Sequence, residues 1–364
     1  MKKEKKIILE LAKGRYADAD RLQKLLAEDF CCPDVLGQLI YNRLGGMAYD
    51  ALLHNQLLSA VPGEMRKALG EIHEANIAKG RSFGQAVTQL YEILHGLELE
   101  YVMLKGVGLI GLYPEGYRTS NDIDLLVNPT GVSLFCERLT KAGFRQGYLK
   151  NGEILPATRE QIISSRMLRG ETVPFIKRID LPFMKYLEVD VNFSLDYAPE
   201  TGETICEILQ AGEEVFRGTA HAKLPQKSDF LIHLCAHLFK EATSYPWVES
   251  GKDTLLYKFC DIYTVLQKYT DEDYEAFCAR AGFLDVKKEC YFALFRTKEL
   301  FGKLPGQGNR YLASLRPDKV GYMNEIRSAA EKKTYFNPVP FVSWVFYPRS
   351  KKIRLLTGEK ENRK

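Results

Sequence analysis

Histidine and tryptophan are scarce, with six and two copies in 364 residues, and the eight cysteines contain no CxxC spacing. Such a chain lacks the usual ligand patterns of structural zinc and the dense cysteine framework of a small secreted scaffold. Cys31 and Cys32 are adjacent and the other cysteines stand singly in apolar helical patterns, so buried free thiols in a reducing compartment are expected. His233 and His237 stand four apart in HLCAH, without the glutamate of an HExxH metalloprotease. Long apolar runs are missing too, since none approaches the roughly 20 residues that span a bilayer. The amino-terminal MKKEKKIILELAKG has charge on both sides of a short apolar run and no small-residue cleavage site, which reads as an amphipathic helix of a cytoplasmic protein. Positive charge is confined. The last sixteen residues hold seven basic and two acidic side chains, a net +5 in a chain of net +4, so everything before them sums to −1. That body is not a nucleic-acid surface. The tail reads as a solvated extension, with phosphates or an anionic membrane as the alternative contact.

What is present is an ordinary globular composition, 45% apolar and 27% charged, at a length that implies two or three domains. Through 1–97 the apolar residues recur at three and four, as helices require, with Pro33 suited to a helix start, Gly45-Gly46 to a break, and a long helix expected over 63–95. The pattern changes at Glu98. Tyr101, Val102, Met103 and Leu104 read as a buried strand that ends at Lys105-Gly106, where Gly106 and Gly108 permit a tight turn and close approach of a ligand. If 107–113 is a helix, its free N–H groups face that corner and suit a phosphate, with Lys105 adding charge. A polar loop follows, carrying the Arg118 fork and the Ser120 hydroxyl.

The next strand, DIDLLV at 122–127, alternates Asp122 and Asp124 with Ile123 and Leu125, so both carboxylates leave one face of the sheet. Two like charges side by side need a counter-charge, and hard divalent cations such as Mg2+ bind carboxylate oxygens of this kind. Over 130–142 a helix is expected, with Thr130 as cap and Gly143 as stop, and 147–169 reads as a loop with one helix. Strands over 173–179 and 184–193 are joined by a turn at 180–182. In the second, Glu188, Asp190 and Asn192 share one face and Val189, Val191 and Phe193 the other. Paired beside the Asp122 strand, it brings in a third carboxylate, and three carboxylates around divalent metals suit in-line phosphoryl or nucleotidyl transfer. Beyond 196 helices are expected over 203–210, from Ser228-Asp229 onward, and over 272–303 and 318–333.

LKG at 104–106, then YP, RTSNDIDLLV and VDVNF, together resemble an uncharacterised bacterial nucleotidyltransferase family of the polymerase-beta-like superfamily, across roughly 98–195. The likeness continues into the LxHLCxHL helix and the Phe259-Cys260-Asp261-Ile262 element. The chain departs from the superfamily at Val107, where a small residue usually follows the corner glycine. We therefore expect an α+β fold, a small mixed sheet flanked by N-terminal and C-terminal helical segments. The expected division is 1–97 helical, 98–200 catalytic core, 201–335 helical and 336–364 basic tail.

The resemblance implies Asp122, Asp124 and Asp190 as catalytic acids and ligands of two Mg2+ or Mn2+ ions, with Glu188 in reserve. Lys105, Gly106, Arg118 and Ser120 would contact the nucleotide. His233, His237 and Asp261 would line the cleft, or else lie between packed helices. The implied activity moves a nucleoside monophosphate from an NTP such as ATP to a hydroxyl or phosphate of a small-molecule acceptor. Protein nucleotidylation is the second choice, and a non-catalytic nucleotide-binding module is the competing class.

Overall fold

The computed structural model describes residues 1–97, 99–195, 202–346 and 354–355. The basic tail beyond Phe346 therefore lies outside the described residues, apart from Arg354 and Leu355. The chain has an α+β fold. By internal contacts it forms two compact units, one made of Met1–Gly70 with the described residues from Leu234 on, the other of Glu71–His233.

Along the chain, helices α1 (Lys3–Leu11), α2 (Ala19–Leu26), α3 (Cys32–Tyr41) and α4 (Gly45–His54) lead to the 32-residue α5 (Gly63–Leu94). Then come β1 (Tyr101–Met103), β2 (Asp122–Val127), α6 (Val132–Lys141), the hairpin β3 (Arg145–Lys150) and β4 (Glu153–Pro156), α7 (Arg159–Arg169), β5 (Phe175–Leu181), β6 (Met184–Asn192), α8 (Gly202–Gln210), a second hairpin β7 (Glu213–Arg217) and β8 (Ala220–Leu224), and α9 (Lys227–Ala242). The remaining helices are α10 (Tyr245–Glu249), α11 (Leu256–Leu266), α12 (Asp271–Phe283), α13 (Lys287–Phe301), α14 (Gly308–Ser314) and α15 (Phe341–Val345), with short strands β9 (Glu325–Ser328), β10 (Lys333–Phe336) and β11 (Arg354–Leu355). Among the described residues no helix is long and apolar enough to cross a membrane. No disulfide joins any of the eight cysteines; Cys235, Cys260 and Cys290 are buried, whereas Cys31 is exposed.

The Glu71–His233 unit is built on a six-stranded mixed sheet of order β1-β2-β6-β5-β3-β4. Only β2 and β6 run parallel; the other neighbours are antiparallel. Parallel neighbours need a long crossover, and here it comprises α6, the β3–β4 hairpin, α7 and β5. One face of the sheet is apolar. Ile123, Leu125, Val127, Val189 and Val191 are buried there with Phe83, Val87 and Leu90 of α5 and Phe135 and Leu139 of α6. Because side chains alternate along a strand, that arrangement sends the acids of β2 and β6 to the opposite face.

Local structure departs from the sequence pattern in four places. Residues 107–113 do not form a helix: a three-residue 3-10 turn, Val107–Leu109, is all that forms. Gly111 has φ +74, and Pro114 cannot continue a helix, so no helix N-terminus faces the Lys105 corner. Residues 147–169 contain a hairpin as well as a helix. Its turn is Asn151-Gly152, with φ +53 and +81, the left-handed pair that a two-residue hairpin connection favours. The predominantly helical stretch after 196 also holds the β7–β8 hairpin, turned at Gly218 with φ +61. Finally, 318–333 is a 3-10 turn, Gly321–Asn324, followed by β9, whose alternating burial pattern is that of a strand. The helices α7 and α12 end up well specified, each opened by a capping box, Thr158 with Gln161 and Thr270 with Asp273.

Candidate active site

The parallel pairing of β2 and β6 sets Asp122 opposite Glu188 and Asp124 opposite Asp190. The four carboxylates that alternation aligns in pairs on two strands thus meet on one face of the sheet. Asp124 is buried at 4% exposure, and Asn192 fixes the far end of the pairing by donating to Leu125 O at 3.3 Å.

The positive charge reaching these acids from the corner is Lys105, whose ammonium donates to Asp124 Oδ1 at 2.7 Å. Its backbone has φ +44, a left-handed conformation that costs a non-glycine residue on the order of 1–3 kcal/mol. Ser120 Oγ donates to Asp122 Oδ1 at 2.8 Å. The same hydroxyl explains why position 106 is glycine. Gly106 itself has ordinary helical angles (φ −54), but a Cβ there would lie 2.7 Å from Ser120 Oγ. Space, not backbone freedom, demands the glycine. A serine from the loop before β2 fills the corner beside Gly106.

The electrostatics divide the acids. Burial by itself would raise the Asp122 carboxyl, but the Ser120 hydrogen bond and the charges of Lys105 and Arg118 hold it below its ordinary value. Burial, then the charges of Asp122 and Asp124, raises Glu188. Burial, followed by Asp124, Glu188 and Asp122, pushes Asp190 up to about 8. Loss of hydration is the first cause of that rise, and the neighbouring carboxylates add to it beyond what Lys105 offsets.

Among the described residues no three carboxylate, imidazole or thiol side chains are drawn together at metal-ligand spacing. The donor set nevertheless fits a hard divalent cation. It is all oxygen, it is half-buried, and burial with the neighbouring acids raises one member, Asp190. Asp122, Asp124 and Asp190 are the residues that could hold such an ion, with Glu188 beside them.

The other candidates are dispersed. Arg118, Ser120 and Gly106 line a cavity of about 210 Å³ that adjoins the corner. His233 is buried on α9 in the same unit as the acids. His237 and Asp261 belong to the other unit. There His237 Nε2 lies 3.3 Å from Glu241 Oε1, and Lys258 Nζ lies 2.5 Å from Glu241 Oε2. Burial alone would raise Glu241, but hydrogen bonds and charge from His237 and Lys258 hold its carboxyl down at about 2. Asp261 is buried on α11. Sequence patterning gives no sign of Arg217, which bonds the corner backbone by donating to Gly108 O at 2.7 Å. The turn at Gly218 was the one local signal that a hairpin would deliver it.

Comparison with curated proteins finds no match to this chain. A family described as uncharacterised nucleotidyltransferase matches residues 31–302, three quarters of the sequence. The match takes in β2, β6 and the corner between β1 and β2, and the chain therefore belongs to this nucleotidyltransferase family and is an enzyme of nucleotidyl transfer.

Proposed function

We propose that the protein moves a nucleoside monophosphate from an NTP, with ATP as first choice, to a hydroxyl or phosphate of a small-molecule acceptor. The carrying observation is the β2–β6 register, which aligns Asp122 with Glu188 and Asp124 with Asp190. A small acceptor is favoured over nucleic acid because the chain before its last sixteen residues carries a net charge of −1.

Asp122, Asp124 and Asp190 would hold two Mg2+ or Mn2+ ions. When bound, such ions polarise an attacking oxygen and offset charge on a leaving pyrophosphate. Ser120 orients Asp122 by its hydrogen bond, and Lys105 supplies the counter-charge of the metal-free site. The acceptor oxygen forms its bond to the α-phosphorus as the bond to pyrophosphate breaks. The acceptor proton passes to Asp190, the third acid of the set, in its ionised form. Gly106 makes room for Ser120 beside Asp122, and Arg118 offers a charged fork to phosphate oxygens.

The test is pyrophosphate release from each of the four NTPs with Mg2+ or Mn2+ across a panel of small acceptors. Release that needs the metal and favours one NTP is expected. Release that is absent for every NTP, metal and acceptor would remove the proposal.

A further inference from the structure

The cavity beside the corner is walled by more than the residues already assigned. Its lining includes Arg81 and Gly80 from α5, Arg118 and Ser120 from the loop before β2, and Arg217 and Thr219 from the β7–β8 turn. Three arginines thus line one small space, against a single acidic lining residue, Glu115.

The three arginines differ in what they do. Arg81 meets Glu115 Oε2 at 3.0 Å on the surface, with both side chains more than half exposed. Arg217 is different: its Nη1 donates to Gly108 O at 2.7 Å and Ile110 O at 3.4 Å, both backbone carbonyls of the corner. No carboxylate among the described residues pairs with it, and burial, acting alone, holds its guanidinium below the usual arginine value. A half-buried guanidinium bonded only to neutral carbonyls carries a desolvated charge, and its planar fork matches phosphate oxygens. The cavity reaches Ser120, which is one hydrogen bond from Asp122. At about 210 Å³ it is smaller than the roughly 300–1,000 Å³ of pockets that hold drug-sized ligands, so it suits a phosphoryl or pyrophosphoryl group better than a whole nucleotide.

We infer that this cavity is a phosphate-binding subsite, with Arg217 as its central ligand and Arg81 at its mouth, for the phosphate-bearing end of one of the two substrates. The inference rests on the proposed transfer reaction for the origin of that phosphate. Two sources share the chemistry: the β- and γ-phosphates of the NTP, and a phosphate carried by the acceptor.

The experiment is calorimetric titration of the full chain with inorganic pyrophosphate and with inorganic phosphate, followed by NTP, on three proteins: wild type, Arg217→Gln and Gly80→Glu. Gly80→Glu removes no contact, because a Cβ at Gly80 meets nothing within 4 Å, and it sets a carboxylate on the cavity wall. It keeps the inference testable if Arg217→Gln loosens the corner and fails to fold. Charge-assisted hydrogen bonds of this kind are worth a factor on the order of ten in affinity or more. We expect wild type to bind pyrophosphate and both folded variants to bind it about tenfold more weakly. A parallel loss of NTP affinity assigns the phosphate to the NTP. Unchanged NTP affinity with a raised KM for a phosphorylated acceptor assigns it to the acceptor. No binding of either anion by wild type, or pyrophosphate affinity unaltered in folded Gly80→Glu, overturns the subsite. Pyrophosphate binding that is lost in the variants while no NTP is ever turned over would support the subsite and remove the proposed reaction.

Discussion

Asp124 on β2 stands directly across from Asp190 on β6, sixty-six positions later in a parallel register, and the Lys105 ammonium donates to the first of them. The second is left with a proton affinity far above that of an ordinary aspartate. Its carboxyl titrates near 8 in the folded chain, against about 4 for an aspartate in an unfolded one. Between those values the folded state binds more protons, so stability falls as pH rises through the window. Glu188, also raised, acts in the same sense. Asp122, held low, acts only below the window. The metal-free protein should therefore melt lower at pH 8.5 than at pH 5.5, by on the order of 5 °C, and Asp190→Asn should flatten the slope. Thermal melts across pH, with and without Mg2+, check this; a melting point that rises toward pH 8.5 contradicts it.

Asp122→Asn keeps the shape of the side chain and an acceptor for the Ser120 hydroxyl while removing the negative charge that would offset a cation. The expected outcome is a loss of metal-dependent pyrophosphate release on the order of a thousandfold with an unchanged circular dichroism spectrum. Activity within a few-fold of wild type would sink the assignment of the acids.

Ser120→Ala and Gly106→Ala should be ranked. The first removes one hydrogen bond to a charged group, worth about 1.5–3 kcal/mol, and so lowers kcat roughly tenfold or more. The second adds a methyl group that would lie 2.7 Å from Ser120 Oγ; it displaces the hydroxyl and distorts the corner together, and should cost more. In the double variant Ser120→Ala with Gly106→Ala, only the Oγ contact is relieved and the added methyl still lies 2.8 Å from the Cβ at position 120, so activity should recover in part but stay below that of Ser120→Ala alone. Steady-state kinetics on the three proteins decide the matter, and a strictly additive double variant would speak against a shared corner.

Lys105→Met leaves Asp124 without its ammonium and relieves none of the left-handed backbone. The metal-free protein should be less stable than wild type. Its affinity for Mg2+ should rise severalfold, since the ion no longer competes with a lysine for Asp124. Titration of Mg2+ followed by thermal shift reads both effects at once. A weaker Mg2+ response in this variant would show that Lys105 does not occupy a cation's place.

The legible part of this protein was the part written with short period. Alternation in DIDLLV and in LEVDVNF shows which residues of each strand share a face, and that alone groups Asp122 with Asp124 and Glu188 with Asp190. That the two strands are neighbours, and parallel, is a matter of long-range register that alternation cannot encode; the resemblance of motifs supplied a third acid on a later strand as an expectation, but not the parallel direction. The helical reading of 107–113 failed because Gly111 takes a left-handed φ of +74 and Pro114 follows, so the turn at 107–109 is not continued. The β3–β4 hairpin was within reach, since Asn151-Gly152 is a strong two-residue turn signal. Arg217 was not, because nothing in its own neighbourhood hints that it bonds Gly108.

The late arrival of β6 also bears on biosynthesis. A chain still on the ribosome with β1, the corner and β2 already emerged has Asp122 and Asp124 but neither Glu188 nor Asp190, which follow only after the whole α6-to-β5 crossover. On the proposed assignment of the acids the site is complete only once β6 pairs with β2, so a nascent chain that ends before Asp190 should release no pyrophosphate.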